Sequence, residues 1–304
     1  MIMNNRNIER LTLLSAYDED LRRLHGRIGK DRAESTWKAM QQGRNYVSRF
    51  LKAQLQADDI LLEELMPQFI SDFSAYLSAD RGLRGGTVWL ACQQLKGVVT
   101  RAHQRGLIRW NPFMGFHIAK NIRPREYLTE EELKTLMQHP FANPALCYAR
   151  DIFLFAAFTG MAFVDIRELR PSDIVSINGA YWIVSRRHKT RVPYQVKLLG
   201  IPRQVIERYG HLEGADHVFH SLEYRTLAKR IRRVMDECGF HKRITMHCAR
   251  HSFAILALNN GMPIESVSRI LGHTNITTTQ IYAKITLQKL DHDLTCLENS
   301  LKSI

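Results

Sequence analysis

The sequence has few cysteines and no long apolar run, and each absence excludes a class of protein. Its five cysteines form no Cys-x-x-Cys pair and are scattered at positions 92, 147, 238, 248 and 296. This argues against a zinc finger or a disulfide framework and favours a reducing compartment. No apolar run reaches the roughly 18 residues of a membrane span, and the first residues lack the apolar segment of a secretory signal peptide. We therefore expect a cytoplasmic protein with no membrane partner.

Acidic residues are the minority among the charged residues. The 304-residue chain has 43 Lys and Arg against 30 Asp and Glu, a formal charge of +13. This excess favours a polyanionic partner, since Lys and Arg contacts to phosphates supply most non-specific affinity for nucleic acid. The alternative is a basic soluble protein without such a partner. The length leaves room for two domains.

Strand patterns are absent from the first half, whose apolar residues follow helical spacing. Residues 1–30 are polar and mixed in charge, and we expect a short N-terminal arm there. Helical spacing over 37–51, 69–77 and 88–99 predicts a small helical bundle within 31–117. A basic segment at 118–126 is predicted to be the interdomain linker, either close to phosphates or simply solvated. The candidate DNA-binding residues of bundle and linker are Arg44, Arg49, Lys52, Lys96, Arg101, Lys120 and Arg123.

The second half, residues 127–304, mixes helices with a short β region. Thr129 begins a capping box, and Asn143-Pro144 caps a second helix that ends at Gly160. Apolar residues over 174–199 predict three short antiparallel strands, with Asn178-Gly179 as the first hairpin turn. Helices return after Pro202 and continue to the end. The expected fold class is mainly α with a small antiparallel β-sheet, in which a helical domain precedes an α+β domain.

Four residues near the end of the chain could together attack a phosphodiester. Arg250 can neutralise non-bridging phosphate oxygens by paired hydrogen bonds. His247, three residues earlier on a predicted helix, and His273, in a turn after Gly272, can donate hydrogen bonds or transfer protons. Tyr282 can become a covalent nucleophile, and the three threonines before it are predicted to cap its helix.

A zinc site at His247 and His251 is the alternative for this region. The two histidines have the spacing of the His-Glu-x-x-His zinc motif. Cys248 stands where that motif has its general-base glutamate, so the chemistry of the motif is missing. We expect no metal and no other cofactor.

The order His-x-x-Arg, Leu-Gly-His and then a tyrosine nine residues later resembles the catalytic core of the tyrosine recombinases, the phage integrase family. The front half is similar to the helical SAM-like core-binding domain of that family, and residues from Tyr127 onward to its catalytic domain. The resemblance implies a homotetramer on two synapsed inverted-repeat sites in duplex DNA. It also implies cleavage to a 3′-phosphotyrosine, followed by religation without metal or nucleotide.

The resemblance assigns a role to each matching residue. Tyr282 is the nucleophile, Arg250 the second phosphate-binding arginine, and His247 and His273 stabilise the transition state and assist proton transfer. Lys189 matches the mobile lysine that protonates the leaving 5′-oxygen. The implied activity is that of a site-specific recombinase, an integrase or invertase, and the short N-terminal segment slightly favours an invertase.

One position departs from the family pattern. The first catalytic arginine follows Thr-Gly-x, but here Ala162 follows Thr159-Gly160-Met161, while Asp165 still matches the supporting acid. The chain is then either an impaired DNA-binding relative with an architectural or regulatory role, or an enzyme with a replacement arginine. A relaxing enzyme like type IB topoisomerase is a third possibility. The residues around Ala162 resemble those of a recombinase subgroup from Bacteroidetes and their mobile elements. Because that subgroup commonly lacks this arginine, we favour an enzyme with a replacement arginine.

Strand alternation identifies Arg187 as the candidate replacement. Arg187 lies two residues before Lys189, so both point the same way if the strand continues through the turn, while Arg186 points to the other side. A solvated strand residue is the alternative for Arg187.

At the end of the chain, the apolar positions Ile285, Leu287, Leu290, Leu294 and Leu297 keep helical spacing, which predicts a tail that docks on a neighbouring protomer.

Overall fold

The computed structural model describes residues 11–119, 126–219, 223–282 and 287–302. The chain forms two compact units, Met1–Arg123 and Pro124–Ile304. The predicted fold class is confirmed, because helices dominate the described residues and the one sheet there has three antiparallel strands. No helix in these ranges is long and apolar enough to cross a membrane.

The described part of the first unit is a bundle of four α-helices. They are α1 (Leu13–His25), α2 (Glu34–Phe50), α3 (Pro67–Ser78) and α4 (Gly85–Gln104), with a π turn at Leu51–Leu55 and a 3₁₀ turn at Leu62–Glu64. One apolar core joins them, and aromatic side chains such as Phe50 and Phe73 are fully enclosed. These aromatics therefore stabilise the bundle and are not available to stack on bases.

The prediction of an N-terminal arm over 1–30 is wrong for α1. Thr12 and Ser15 form a capping box at its start, and Leu13 and Tyr17 are fully buried in the core of the bundle. Burial of an apolar side chain such as that of Leu13 stabilises by roughly 1.5–3 kcal/mol. The acidic residues of α1 then pair with arginines of α2 and α4, as the Arg44–Asp18 contact of 2.7 Å shows. Such pairings between distant segments leave no local pattern in the sequence.

The second unit combines a small sheet with nine α-helices in its described part. Before the sheet come α5 (Glu130–Gln138), α6 (Pro144–Thr159) and α7 (Phe163–Arg167). The strands β1 (Ile174–Ile177), β2 (Ala180–Arg186) and β3 (Pro193–Lys197) pair in the order β1-β2-β3. The later helices are α8 (Gly200–Tyr209), α9 (Tyr224–Glu237), α10 (Met246–Asn259), α11 (Ile264–Leu271), α12 (Thr277–Gln280) and α13 (Leu287–Leu301).

The local signals of this unit match the structure closely. Thr129 forms its capping box, and Asn143 caps α6 with Pro144 in the first turn. Asn178 and Gly179 both have positive φ, as a type I′ hairpin turn requires. Gly160 and Gly272 end α6 and α11 in the left-handed conformation.

The buried helix α6 sets the frame of the functional region. Most of its residues are buried and apolar, and it packs against α8, α9 and α10. Its last carbonyls therefore lie beside α10, which carries the His247–Arg250 motif. The helix α11 packs against β3, so the Leu271-Gly272-His273 turn lies next to the sheet.

Candidate active site

Arg250 is a buried arginine whose hydrogen bonds go to backbone carbonyls. Its side chain is held on α10, and the residue is 7 % exposed. Nη1 donates to the Gly160 carbonyl at 2.8 Å, and Nη2 donates to the Leu271 carbonyl. Both acceptors lie at helix C-termini, where carbonyls lack partners within the helix. A guanidinium held by neutral carbonyls keeps its full charge for an anion.

Arg187 is the second buried arginine, and it follows directly after β2. The residue is 5 % exposed. Nη1 donates to Asp165 Oδ2 at 2.6 Å, and Nη2 donates to the Ile270 carbonyl at 2.9 Å. Its Nε is buried and has no acceptor among the described residues. A buried N–H group without an acceptor costs free energy. Such groups are therefore rare in folded proteins unless a further acceptor binds them.

The end of α11 brings the two arginines together. Arg187 and Arg250 donate to the consecutive carbonyls of Ile270 and Leu271. The partial negative charge of a helix C-terminus favours cations at this place. Gly272 leaves room for them, because a Cβ on it would lie 2.7 Å from Arg187 Nε. The four residues 270–273, which are Ile270 and the Leu-Gly-His motif, therefore supply two acceptors, space for the arginines and a histidine.

The two arginines give the site an excess of positive charge. Burial lowers the pKa of Arg250 to about 9, and the charge of Arg187 is the next largest cause. Among the described residues, Asp165 alone opposes this charge with a carboxylate bonded to one of the two arginines. A phosphate between the arginines would relieve the repulsion and use their remaining N–H groups.

His273 is held as a neutral imidazole. Its Nδ1 lies 2.8 Å from Thr279 Oγ1, and Thr279 is fully buried. Burial lowers the pKa of His273 to about 4, helped by the charges of Arg250 and Arg187. At neutral pH the ring can therefore accept a proton or donate one hydrogen bond, but it adds no charge.

Tyr282 lies in a turn directly after α12, with its side chain half-buried. Its N–H donates to the Thr279 carbonyl at 2.9 Å. The Tyr282 ring centroid is 4.9 Å from that of His251, which is 4.7 Å from that of His247. The three rings thus form a row beside Arg250. The prediction that threonines cap a helix bearing Tyr282 is wrong, since α12 has no side-chain cap and ends before Tyr282.

Lys189 occupies an exposed turn between β2 and β3, and the predicted alternation through this turn is wrong. The strand β2 ends at Arg186, so Arg187 is buried while Lys189 is exposed. Arg186 is also exposed. Asp165 anchors the turn, because its Oδ1 accepts the His188 N–H at 2.8 Å while Oδ2 binds Arg187. One carboxylate therefore fixes both Arg187 and the base of the Lys189 turn.

The candidate DNA-binding residues of the first unit differ in availability. Arg44 and Arg101 pair with Asp18 and Asp20 at 2.7 and 2.6 Å. Lys96 donates to the carbonyls of Met114 and Phe116. Lys52 is exposed and 3.3 Å from Asp58, and Arg49 is exposed. Lys120 and Arg123 lie outside the described residues.

A basic face on α9 was missed by the sequence analysis. Its apolar side packs on the core through Leu227, Ile231 and Val234. On the opposite side, the exposed residues within about 100° of arc on the helical wheel are the basic Arg225, Lys229, Arg232 and Arg233 and a single acid, Asp236. The alternation of apolar and basic residues at helical spacing was the available signal. This face has the charge that a phosphate backbone attracts.

Comparisons with known proteins agree with this geometry. A sequence model of the phage integrase family matches residues 126–289, and one of the phage integrase SAM-like domain matches residues 12–120. A tyrosine recombinase XerC of Lactobacillus delbrueckii subsp. bulgaricus is 24 % identical over 233 residues, covering 72 % of this chain and 79 % of the relative.

Solved structures show the same fold at low identity. An integrase of the Tn1549 transposon in complex with circular intermediate DNA superposes with a TM-score of 0.75 at 17 % identity, covering 94 % of this chain and 99 % of that one. A lambda integrase tetramer bound to a Holliday junction gives a TM-score of 0.71 at 20 % identity, covering 90 % and 80 %.

Proposed function

The chain belongs to the phage integrase family and is a site-specific DNA recombinase, and we propose that Tyr282 cuts the DNA at a phosphate bound by Arg250 and Arg187. The observation that carries this proposal is the pair of buried arginines on consecutive carbonyls of α11. Paired guanidinium groups bind phosphate oxygens with fixed geometry. The row of rings ends in Tyr282, which lies close enough to Arg250 to affect its pKa.

The proposed reaction exchanges one phosphodiester for another. The Tyr282 oxygen attacks phosphorus, the bond from phosphorus to the 5′-oxygen breaks, and the 3′-phosphate stays on the tyrosine. The phenol loses one proton and the 5′-oxygen gains one, so the step is balanced. His247 and the neutral His273 assist this proton transfer, and Lys189 protonates the leaving oxygen. Attack by a 5′-hydroxyl of the other DNA strand reverses the chemistry and rejoins the strands.

Arg187 takes the place of the arginine that the family has at position 162. Ala162 itself is the N-cap of α7 and has no group that can bind phosphate. Arg187 lies close enough to Arg250 to lower the pKa of Arg250, and its Nε has no acceptor in the described part of the chain. Losing one phosphate-binding donor typically costs about 10²–10³ in rate, so an active enzyme needs this replacement.

The decisive test compares Arg187→Ala with Arg186→Ala on a nicked suicide substrate. We expect Arg187→Ala to slow single-turnover cleavage by about a hundredfold or more, with little change in duplex affinity. Arg186→Ala should change the cleavage rate little, because Arg186 is exposed and outside the site. Absence of any trapped adduct from the unmodified protein would favour the impaired DNA-binding relative, and Tyr282→Phe gives the background for that comparison.

Loss of Arg187 also leaves Asp165 buried without its counter-ion, so a second measurement must depend on phosphate charge. A methylphosphonate at the scissile position replaces one charged oxygen by a methyl group. If Arg187 neutralises that oxygen, the defect of Arg187→Ala should shrink about tenfold or more on this substrate. An undiminished defect would mean that Arg187 acts only on folding.

The proposed DNA partner is a duplex with inverted-repeat sites, bound by four copies in a synaptic complex. The exposed basic face of α9 supports DNA binding by the second unit. The exposed leucines of α13 support contact between copies. Integration, excision and inversion use the same chemistry on differently placed sites, so each is compatible with this proposal.

A further inference from the structure

We propose that Tyr194 is a positioning residue that holds Arg187 in the orientation used at the scissile phosphate. The inference rests on the proposed function of Arg187. Tyr194 lies in β3 opposite Ser185 and is 3 % exposed. Its ring centroid is 4.2 Å from Arg187 Cζ, so the ring covers one face of the guanidinium. No motif in the sequence identified this residue.

Three other groups complete the surroundings of the guanidinium. Asp165 binds Nη1, the Ile270 carbonyl binds Nη2, and Gly272 lies against Nε. These contacts fix two edges of the planar group but leave its faces open. The Tyr194 ring closes one face, prevents rotation out of the plane and keeps water from the cation. A cation with less water around it interacts more strongly with a phosphate.

The contact is between a cation and a neutral ring. Burial raises the pKa of Tyr194, so the phenol stays protonated at the pH of an assay. The attraction therefore comes from the aromatic face rather than from a phenolate. This distinction makes the ring, and not the hydroxyl, the group to be tested.

Arg187 needs such a residue because its backbone position differs from that of the family's first arginine. The family's first arginine follows directly after the Thr-Gly-x sequence, at position 162 here, where α7 begins. Arg187 instead comes from the end of a strand, just before an exposed turn. Only side-chain and carbonyl partners can then set its direction. An alternative is that Tyr194 is an ordinary core residue of the sheet.

The experiment compares Tyr194→Leu with Tyr194→Phe and with Phe219→Leu. Phe219 is a buried aromatic, 2 % exposed, that packs on Phe155 and so measures a general loss of core packing. Tyr194→Leu should slow single-turnover cleavage about tenfold or more, the rate equivalent of a desolvated cation–π contact, with unchanged duplex affinity. Tyr194→Phe and Phe219→Leu should cleave at nearly the normal rate, whatever their melting temperatures.

Chemical rescue separates positioning from packing. Added guanidinium ion should restore part of the cleavage lost in Arg187→Ala, because the vacated site keeps Asp165, the Ile270 carbonyl and the Tyr194 ring. Rescue should fail in the double variant Arg187→Ala/Tyr194→Leu, with sodium chloride as the ionic-strength control. Equal rescue in both variants would overturn the role of Tyr194.

The outcomes also separate the two proposals. Normal cleavage by Arg187→Ala would overturn the role of Arg187 itself, and Tyr194 would have nothing to position. A severe defect in Arg187→Ala together with normal cleavage by Tyr194→Leu would overturn only the inference about Tyr194. A defect in Tyr194→Leu that Phe219→Leu reproduces would also overturn it, since lost packing would then explain both.

Discussion

At the scale of single residues, the charge of the site predicts how His273 responds to DNA. The pKa of His273 is lowered to about 4 by burial and by Arg250 and Arg187. A bound phosphate opposes the two positive charges, so we expect the pKa of His273 to rise when the duplex binds. Titration of its ring proton by NMR, with and without DNA, would measure this. An identical titration in both states would contradict the placement of the phosphate.

The same lowered pKa has a consequence for the free protein. An unfolded chain protonates His273 near its ordinary pKa of 6.5, whereas the folded chain does so only near 4. The folded state therefore binds fewer protons, and this group's contribution to stability is lost as the pH falls from about 6.5 to 4. Arg187→Ala should raise the pKa of His273 in the free protein, and exposed Arg186→Ala should leave it unchanged.

Single residues also show where sequence reasoning succeeds and fails. Arg187 does lie beside Arg250, but the strand alternation that pointed to it stops at Arg186. Arg187 is instead held in place by partners distant in sequence, such as Ile270, which is 83 residues away. Tyr194 is near Arg187 in sequence, but it was missed because their contact exists only across the paired strands. The catalytic roles of the named residues stay predictions.

At the scale of elements, the C-terminus of α11 gives a test that separates backbone strain from crowding. Gly272 has φ +58, and a Cβ there would lie 2.7 Å from Arg187 Nε. Gly239 has φ +72 with nothing within 4 Å of its Cβ position. Alanine at either site should cost about 1–2 kcal/mol of stability, since both need the left-handed conformation. Only Gly272→Ala should also lose cleavage.

The two alanine variants are compared by thermal unfolding and by suicide-substrate cleavage. A loss of cleavage in Gly272→Ala that Gly239→Ala does not share would assign the defect to a displaced Arg187. Equal cleavage in both variants would show that the clearance at Gly272 does not matter to the reaction.

Elements with local signals were the ones that the sequence predicted correctly. The capping box at Thr129, the Asn143-Pro144 start of α6 and the Asn178-Gly179 turn each depend on neighbouring residues. Helix α1 was mistaken for an arm because it has as many charged residues as buried apolar ones. Its acids are neutralised by partners such as Arg101, 81 positions away from Asp20. No local pattern could show that pairing.

At the scale of the whole molecule, α13 presents an apolar stripe that this single chain leaves exposed. Leu290, Leu294, Leu297 and Leu301 are 45–57 % exposed and follow spacings of four, three and four residues. They therefore lie on one face of the helix. Of the other predicted tail positions, Ile285 and the side chain of Leu287 lie outside the described residues. A stripe of this kind favours burial against a partner, and a second copy of the chain is the partner that the proposed synaptic tetramer supplies.

Charge placed on this stripe should separate binding from assembly. We expect Leu294→Glu/Leu297→Glu to bind one half-site normally, because the basic faces that set DNA affinity are untouched. The same variant should form no synaptic tetramer in a mobility-shift or mass-photometry assay, since two buried carboxylates would oppose docking. Thr295→Glu/Asn299→Glu adds equal charge on the opposite, exposed face and should assemble normally. Normal tetramers from the leucine variant would show that α13 does not join the copies, and failure of both variants would trace the effect to charge alone.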